Sequence, residues 1–290
     1  MNVEKKNLSE SVYNRLKNIA LKKNRPTQEL LRYFAMERFL YRLSVSQYKR
    51  SFFLKGGLML MVWDPVTHRA TMDIDMLAKV DNSIENISRM LKEICSYPVP
   101  RDGIEFNSKE LLLNESQIET EYTGLSARFF AYLHTAKIPV KIDIGFSDKI
   151  LPKPSNINYP ALLDFPSPEL WGYTPETMIA EKLDAMVKLA LANSRMKDFY
   201  DIWMIVNQFQ IKSEKITPII REIFRNRKTV IREIPKAFSE AFYNNSKTLD
   251  RWDAFLKGIG HDPILFQKVI FEIRDFFLPI LTEMIKPVDL

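Results

Sequence analysis

Residues 52–80 read FFLKGGLMLMVWDPVTHRATMDIDMLAKV, and two periodicities meet in this stretch. Phe52-Phe53-Leu54 is a short strand candidate, Gly56-Gly57 a turn, and Leu58 to Trp63 an apolar helical segment that Asp64-Pro65 breaks. Residues 71–80 then alternate. Thr71, Asp73 and Asp75 share one face, and Met72, Ile74 and Met76 take the other. A strand–turn–helix followed directly by an alternating strand predicts mixed α and β structure here.

Working upstream, Leu8, Val12, Leu16, Ile19 and Ala20 have helical spacing over residues 8–22, and Asn24-Arg25-Pro26 ends that run. After Thr27 a second helical run extends from Glu29 to Leu43. The basic residues Arg38, Arg42, Lys49 and Arg50 are expected on a solvated face. Downstream, Asn82 to Cys95 reads as helix, and 104–106, 111–119 and 125–134 as antiparallel strands. Residues 138–147 alternate again, with Val140, Ile142, Ile144 and Phe146 on one face and Lys141, Asp143 and Gly145 on the other.

The stretch 151–168 holds five prolines and reads as a connector. Thr174-Pro175-Glu176 is a helix start, with Thr as N-cap and Pro at the first helical position. From there the period is helical to the last residue. The expectation is an α+β (mixed α/β) chain. It has a short helical N-terminal segment (1–50), a mixed α/β core with a small mixed sheet (51–165) and an all-helical C-terminal part (166–290).

The 290 residues suffice for one large domain or two ordinary ones. At 46% hydrophobic and 27% charged, the composition is that of a globular chain. A net charge of +6 permits a phosphate-rich partner without requiring one. With Cys95 as the only cysteine, an internal disulfide framework and a Cys-based metal site are excluded. The N-terminus lacks the apolar core of a signal peptide. Apolar runs such as Leu58 to Trp63 and Phe276 to Leu281 are too short to span a bilayer. A cytoplasmic protein with no membrane partner is expected. His68, His134 and His261 lack metal-ligand spacing, so zinc is not expected.

Asp73 and Asp75, at i and i+2 on a strand, point to one side and repel each other. A divalent cation relieves that repulsion, and hard carboxylate oxygens suit Mg²⁺ or Mn²⁺. Alone, the pair is more readily read as the solvent face of an edge strand. Gly56-Gly57 between strand and helix permits close approach of backbone to an anionic ligand, although alone it is merely a turn. Asp143, a lone acid between Ile142 and Ile144, could be a third metal ligand, a base, or an exposed strand acid. Lys182 has apolar neighbours one turn away on both sides, so it either snorkels outward or reaches a buried anion. Asp198 and Asp201, one turn apart near a helix start, are accounted for by the helix dipole alone. Arg225, Arg227, Lys228 and Arg232 could contact an RNA backbone or line a solvated helix face.

The order Gly-Gly, Asp-x-Asp, third acid resembles the DNA polymerase β-like nucleotidyltransferase superfamily. Five separated segments resemble more closely the AbiEii/AbiGii toxin group, relatives of the mycobacterial MenT toxins: Phe53 to Gly57, Arg69 to Asp75, Lys141 to Ile144, Glu176 to Lys182, and Arg195 to Ile202. The resemblance covers roughly residues 50–210. It implies a nucleotidyltransferase core in which Asp73, Asp75 and Asp143 hold Mg²⁺ (or Mn²⁺). Lys55, Gly56, Gly57, Arg69, Thr71, Lys182 and Arg195 would bind a nucleoside triphosphate (NTP). Lys182 would offset charge on the leaving pyrophosphate, and Asp198 would act as base or positioning acid, with Lys197 on phosphate. Asp201 could simply pair with a neighbouring cation. Leu58 departs from the Ser or Thr of many relatives, so backbone N–H groups or Lys55 would replace that hydroxyl. The resemblance further implies the toxin of a toxin–antitoxin or abortive-infection pair. Its acceptor would be RNA (such as a tRNA 3′ end) or protein, and its partner a cognate antitoxin such as a winged-helix protein. A metal-dependent nuclease and a non-catalytic binding module on the same fold are the alternatives.

Overall fold

Strand β1 (Phe52–Lys55) lies inside the sheet and shows how its two faces differ. Phe52 and Leu54 enter the main core, while Phe53 joins a small cluster on the opposite side with Leu77 and Tyr173. The computed structural model describes residues 3–64, 69–119, 122–147 and 153–285. Pro65, expected to break a helix, His68, and the first two connector residues, 151 and 152, lie outside the described residues. The chain divides into two units, one of residues 1–150 with 154–173, the other of residues 174–290 with 151–153.

The first unit carries a seven-stranded mixed sheet of order β3-β4-β5-β2-β1-β7-β6. The strands after β1 are β2 (Ile74–Ala78), β3 (Ile104–Glu119), β4 (Tyr122–Leu133), β5 (Ala136–Phe146), β6 (Ser155–Asn158) and β7 (Glu169–Gly172). β2 runs antiparallel to β1 and parallel to β5, and β7 runs parallel to β1. Three helices cover the core face: α1 (Val3–Lys22), α2 (Thr27–Val45) and α4 (Ile84–Cys95). Against them pack Ile74 and Met76 of β2, Ala127 and Phe129 of β4, and Ile142 and Ile144 of β5. The six-residue α3 (Leu58–Trp63) follows β1.

Three expectations are corrected. Arg38 and Arg42 do not face solvent; they are 1% and 6% exposed. Helix α2 is enclosed on nearly every side, so its charges are answered inside: Arg38 pairs with Glu37 at 2.8 Å, and Arg42 holds Asp102 through two hydrogen bonds of 2.8 and 3.1 Å. The expected strands 104–106 and 111–119 are one strand, β3, whose pairing with β4 shifts register between Asn107 and Leu112, where periodicity was lost. The connector 151–168 contains β6, and β7 follows it. Each is only four residues long, too short to show a period, and Pro154, Pro160 and Pro168 flank the strands where no ladder donor is needed.

The second unit is helical: α5 (Pro175–Leu189), α6 (Met196–Gln208), α7 (Ser213–Asn226), α8 (Glu240–Tyr243), α9 (Ser246–Gly258) and α10 (Phe266–Ile285). Thr174 caps α5 by accepting the Thr177 N–H at 3.3 Å, with Pro175 in the first turn. An aromatic cluster of Phe199, Phe242, Trp252 and Phe266 fills its interior. No described helix is long and apolar enough to cross a membrane.

Candidate active site

β1 ends at Lys55, which stands opposite Asp75 in the register of β1 with β2. Gly56 then turns the chain at φ +67°, in the left-handed region that favours glycine. A Cβ at Gly56 would lie 2.0 Å from Asp75 Oδ2, and one at Gly57 would lie 2.8 Å from Thr71 Oγ1. The glycine pair is therefore required by the second motif: Asp75 and Thr71 pack onto the bare backbone of the turn. Behind it, the Thr71 N–H donates to the Tyr33 hydroxyl at 3.1 Å, which ties the approach to β2 onto α2. Burial raises the Tyr33 phenol pKa, so it stays protonated. Arg69 turns its guanidinium onto the Ala70 carbonyl at 3.2 Å, close to Gly57. Leu58 is a buried core side chain.

β2 begins only at Ile74, so Thr71, Met72 and Asp73 form its approach, and Met72 is exposed. On the neighbouring parallel strand, Asp143 is the register partner of Asp75. Parallel strands lie about 4.8 Å apart, so these two acids are neighbours on one sheet face. Asp143 accepts hydrogen bonds from Ser126 Oγ at 2.7 Å and from Lys141 Nζ at 2.6 Å. Lys141 Nζ also donates to Asp73 Oδ2 at 3.1 Å. One ammonium thus bridges two of the three acids. Burial works against this cation, but the hydrogen bonds to Asp143 and Asp73 outweigh it and hold the Lys141 pKa above the usual lysine value.

The structure brings together Lys55, Gly56, Gly57, Thr71, Asp73, Asp75 and Asp143, with Arg69 at the rim of the turn. Lys141, Ser126 and Tyr33 were missed as members. Lys141 was legible as a neighbour, since it sits at i−2 from Asp143 on an alternating strand. Ser126 and Tyr33 carried no local signal, because strand pairing and helix packing bring them in.

The residues fit a divalent cation in a particular sense. The donor set is hard oxygen, and a cation, Lys141, already occupies the place shared by Asp73 and Asp143. Among the described residues, however, no three His, Cys, Asp or Glu side chains are grouped closely enough to hold a metal ion by themselves. A divalent ion here would be held by one or two carboxylates and would need further oxygens from a ligand or water.

In the helical unit, Lys182 of α5 bonds to Asp198 and, at 3.0 Å, to Asp201, both on α6. Arg195 precedes α6, with its N–H on Asn193 Oδ1 at 2.9 Å, and Lys197 is exposed. Arg227, from the basic stretch, is turned inward onto Glu181 and Asp184 of α5 at 2.8 and 3.1 Å. Arg225 pairs with Glu222 on its own helix.

A mixed sheet with a glycine turn backing onto paired aspartates is the arrangement expected of a nucleotidyltransferase core. The chain belongs to the family of AbiEii nucleotidyl transferase toxins of type IV toxin–antitoxin systems, whose model matches residues 38–272. Two solved structures share the fold. One is JHP933 from Helicobacter pylori, at TM-score 0.51 and 14% identity over 89% of this chain and 94% of that one. The other is a putative nucleotidyltransferase from H. pylori, at TM-score 0.50 and 15% identity over 89% and 97%. Among curated proteins no sequence matches.

Proposed function

We propose that the sheet face carrying Asp73, Asp75 and Asp143 transfers a nucleotidyl group from an NTP to a hydroxyl of an RNA acceptor, such as a tRNA 3′ end, with release of pyrophosphate. The observation that carries this reading is the register of Asp75 beside Asp143, directly against a glycine turn with no side chain of its own. The acceptor oxygen attacks the α-phosphorus, the bond from that phosphorus to the bridging oxygen breaks, and the hydroxyl proton passes to a carboxylate. Bound Mg²⁺ supplies charge neutralisation and Lewis acidity at the phosphates.

Asp73 and Asp75 would hold that ion, and Asp143 would complete its shell or take the acceptor's proton. Ser126 orients Asp143 by donating to one of its oxygens, leaving the other to Lys141. The backbone of Gly56 and Gly57, with Lys55, Arg69 and Thr71 around it, would receive the triphosphate. In the helical unit we assign the Lys182–Asp198–Asp201 triad first to tying α5 to α6. A part for Lys182 on phosphate would require its ammonium to leave both aspartates, and Asp198 would then be released to act as a base. Arg195, at the start of α6, would add positive charge there. The setting we propose is the cytoplasm, with a cognate antitoxin as partner.

The test is incubation of the protein with each α-labelled NTP, Mg²⁺ and total tRNA or cell extract, beside Asp73→Ala. Label is expected on an RNA, lost with EDTA and lost in the variant. RNA cleavage without label transfer would instead mean a nuclease. Growth inhibition that survives Asp73→Ala would mean a binding module.

A further inference from the structure

Lys141 is a cation set among the acids of the site, and its charge runs against a simple metal-binding reading. Its ammonium lies within hydrogen-bond distance of both Asp73 and Asp143, on the line where those carboxylates would share a cation. The position is fixed by the sheet. β5 alternation puts Lys141 on the same face as Asp143, and the parallel register of β2 with β5 places it beside Asp73. The flexible four-carbon stem lets the ammonium swing away without disturbing the strand. A divalent ion that arrives alone must expel it, and the expelled ammonium gives up its hydrogen bonds to Asp73 and Asp143. An ion that arrives with a triphosphate brings an anion along.

We propose that Lys141 is a built-in competitor for the divalent cation, making the site admit metal together with phosphate in preference to metal alone. The cost of expelling the lysine falls on any metal without nucleotide and is offset when phosphate oxygens receive the ammonium. Metal and nucleotide binding are thereby coupled through one side chain, and by linkage the effect of each on the other is the same. The inference rests on the metal arm of the function proposed above.

The experiment titrates MnCl₂, without nucleotide, into wild type, Lys141→Met and Lys141→Met/Asp143→Asn, and follows free Mn²⁺ by electron paramagnetic resonance. Wild type is expected to bind weakly, Lys141→Met about tenfold more tightly, and the double variant to lose that gain. Equal or weaker binding by folded Lys141→Met would overturn the inference. Should that variant fail to fold, Lys141→Gln removes the charge while keeping polarity, and is read by the same titration. If both need Mn²⁺ to fold, the rise in melting temperature with MnCl₂ gives the same positive result. If both stay unfolded with Mn²⁺ present, the lysine is structural and the inference fails. Absent label transfer with the Mn²⁺ difference intact would reject nucleotidyl transfer and leave the role of Lys141 standing.

Discussion

Lys141 lies between Asp73 and Asp143 on the sheet, and Lys182 lies between Asp198 and Asp201 on two helices, so one composition of charges occurs in two surroundings. The side chains of Lys141, Asp73 and Asp143 are 31%, 40% and 20% exposed. Those of Lys182, Asp198 and Asp201 are 13%, 7% and 0% exposed. Water and ions reach the first set and screen it, so its bonds are exchangeable. The second set is nearly shut away from water, so its charges are paired within the protein. The same residue types are therefore an accessible, exchangeable cluster on the sheet and a bracket in the helical unit.

The largest expected effect would break this contrast if it failed. Lys182→Met should lose roughly 3–5 kcal/mol of stability, because two buried carboxylates are left facing each other. Lys141→Met should lose no more than about 1 kcal/mol. Urea unfolding of the two variants decides, and equal losses would mean that exposure does not separate them.

Asp75→Asn sharpens the comparison from the side of activity. It keeps the shape that packs on Gly56 and removes the charge, so nucleotidyl transfer should fall about 10²–10³-fold while the melting temperature stays near that of wild type. A lower rate accompanied by a lower melting temperature would place Asp75 among the bracketing acids instead.

Glu37 gives a third case, a buried acid facing a single arginine. Burial pushes its carboxyl from the usual 4.5 up to about 7, against the opposing pull of Arg38 and the Leu162 N–H. The native state then binds the proton more tightly than the unfolded chain does. Stability from this group is complete below about 4.5 and is lost as pH rises through about 7. Melting temperatures across pH 4.5–7.5 should fall with this slope in wild type and flatten in Glu37→Gln. The smallest effect is Thr174→Ala, which removes the cap of α5 and should lose about 1 kcal/mol by urea unfolding. A loss as large as that of Lys182→Met would mean that the helix start, not the ion triad, holds α5 in place.

What the sequence revealed follows the range over which each signal acts. The strand–turn–helix at Phe52–Trp63, the alternation around Ile142 and the Thr174-Pro175 start were all legible, because each is fixed by residues a few positions apart. The acids of the sheet face were legible through their order along the chain. Strands β6 and β7 were not, because two four-residue segments become strands only when β1 supplies a partner. The inward turn of Arg38 and Arg42 was hidden for a related reason: helical period reports one apolar face, and α2 is covered on several. Lys141 was visible beside Asp143, but its bond to Asp73, 68 residues earlier in the chain, belongs to the sheet and not to either segment.

The position of β1 also governs when the site comes into being during synthesis. β1 pairs with β2 on one side and with β7 on the other, while β2 must wait for β5. A ribosome that has released only residues up to β4 has delivered Gly56, Asp73 and Asp75 but not the strand that sets Asp143 and Lys141 beside them. β1 keeps an open edge until residues 169–172 emerge. The sheet of a growing chain is thus incomplete through more than half of its translation, and β1 gains its second partner only when residues 169–172 are in place.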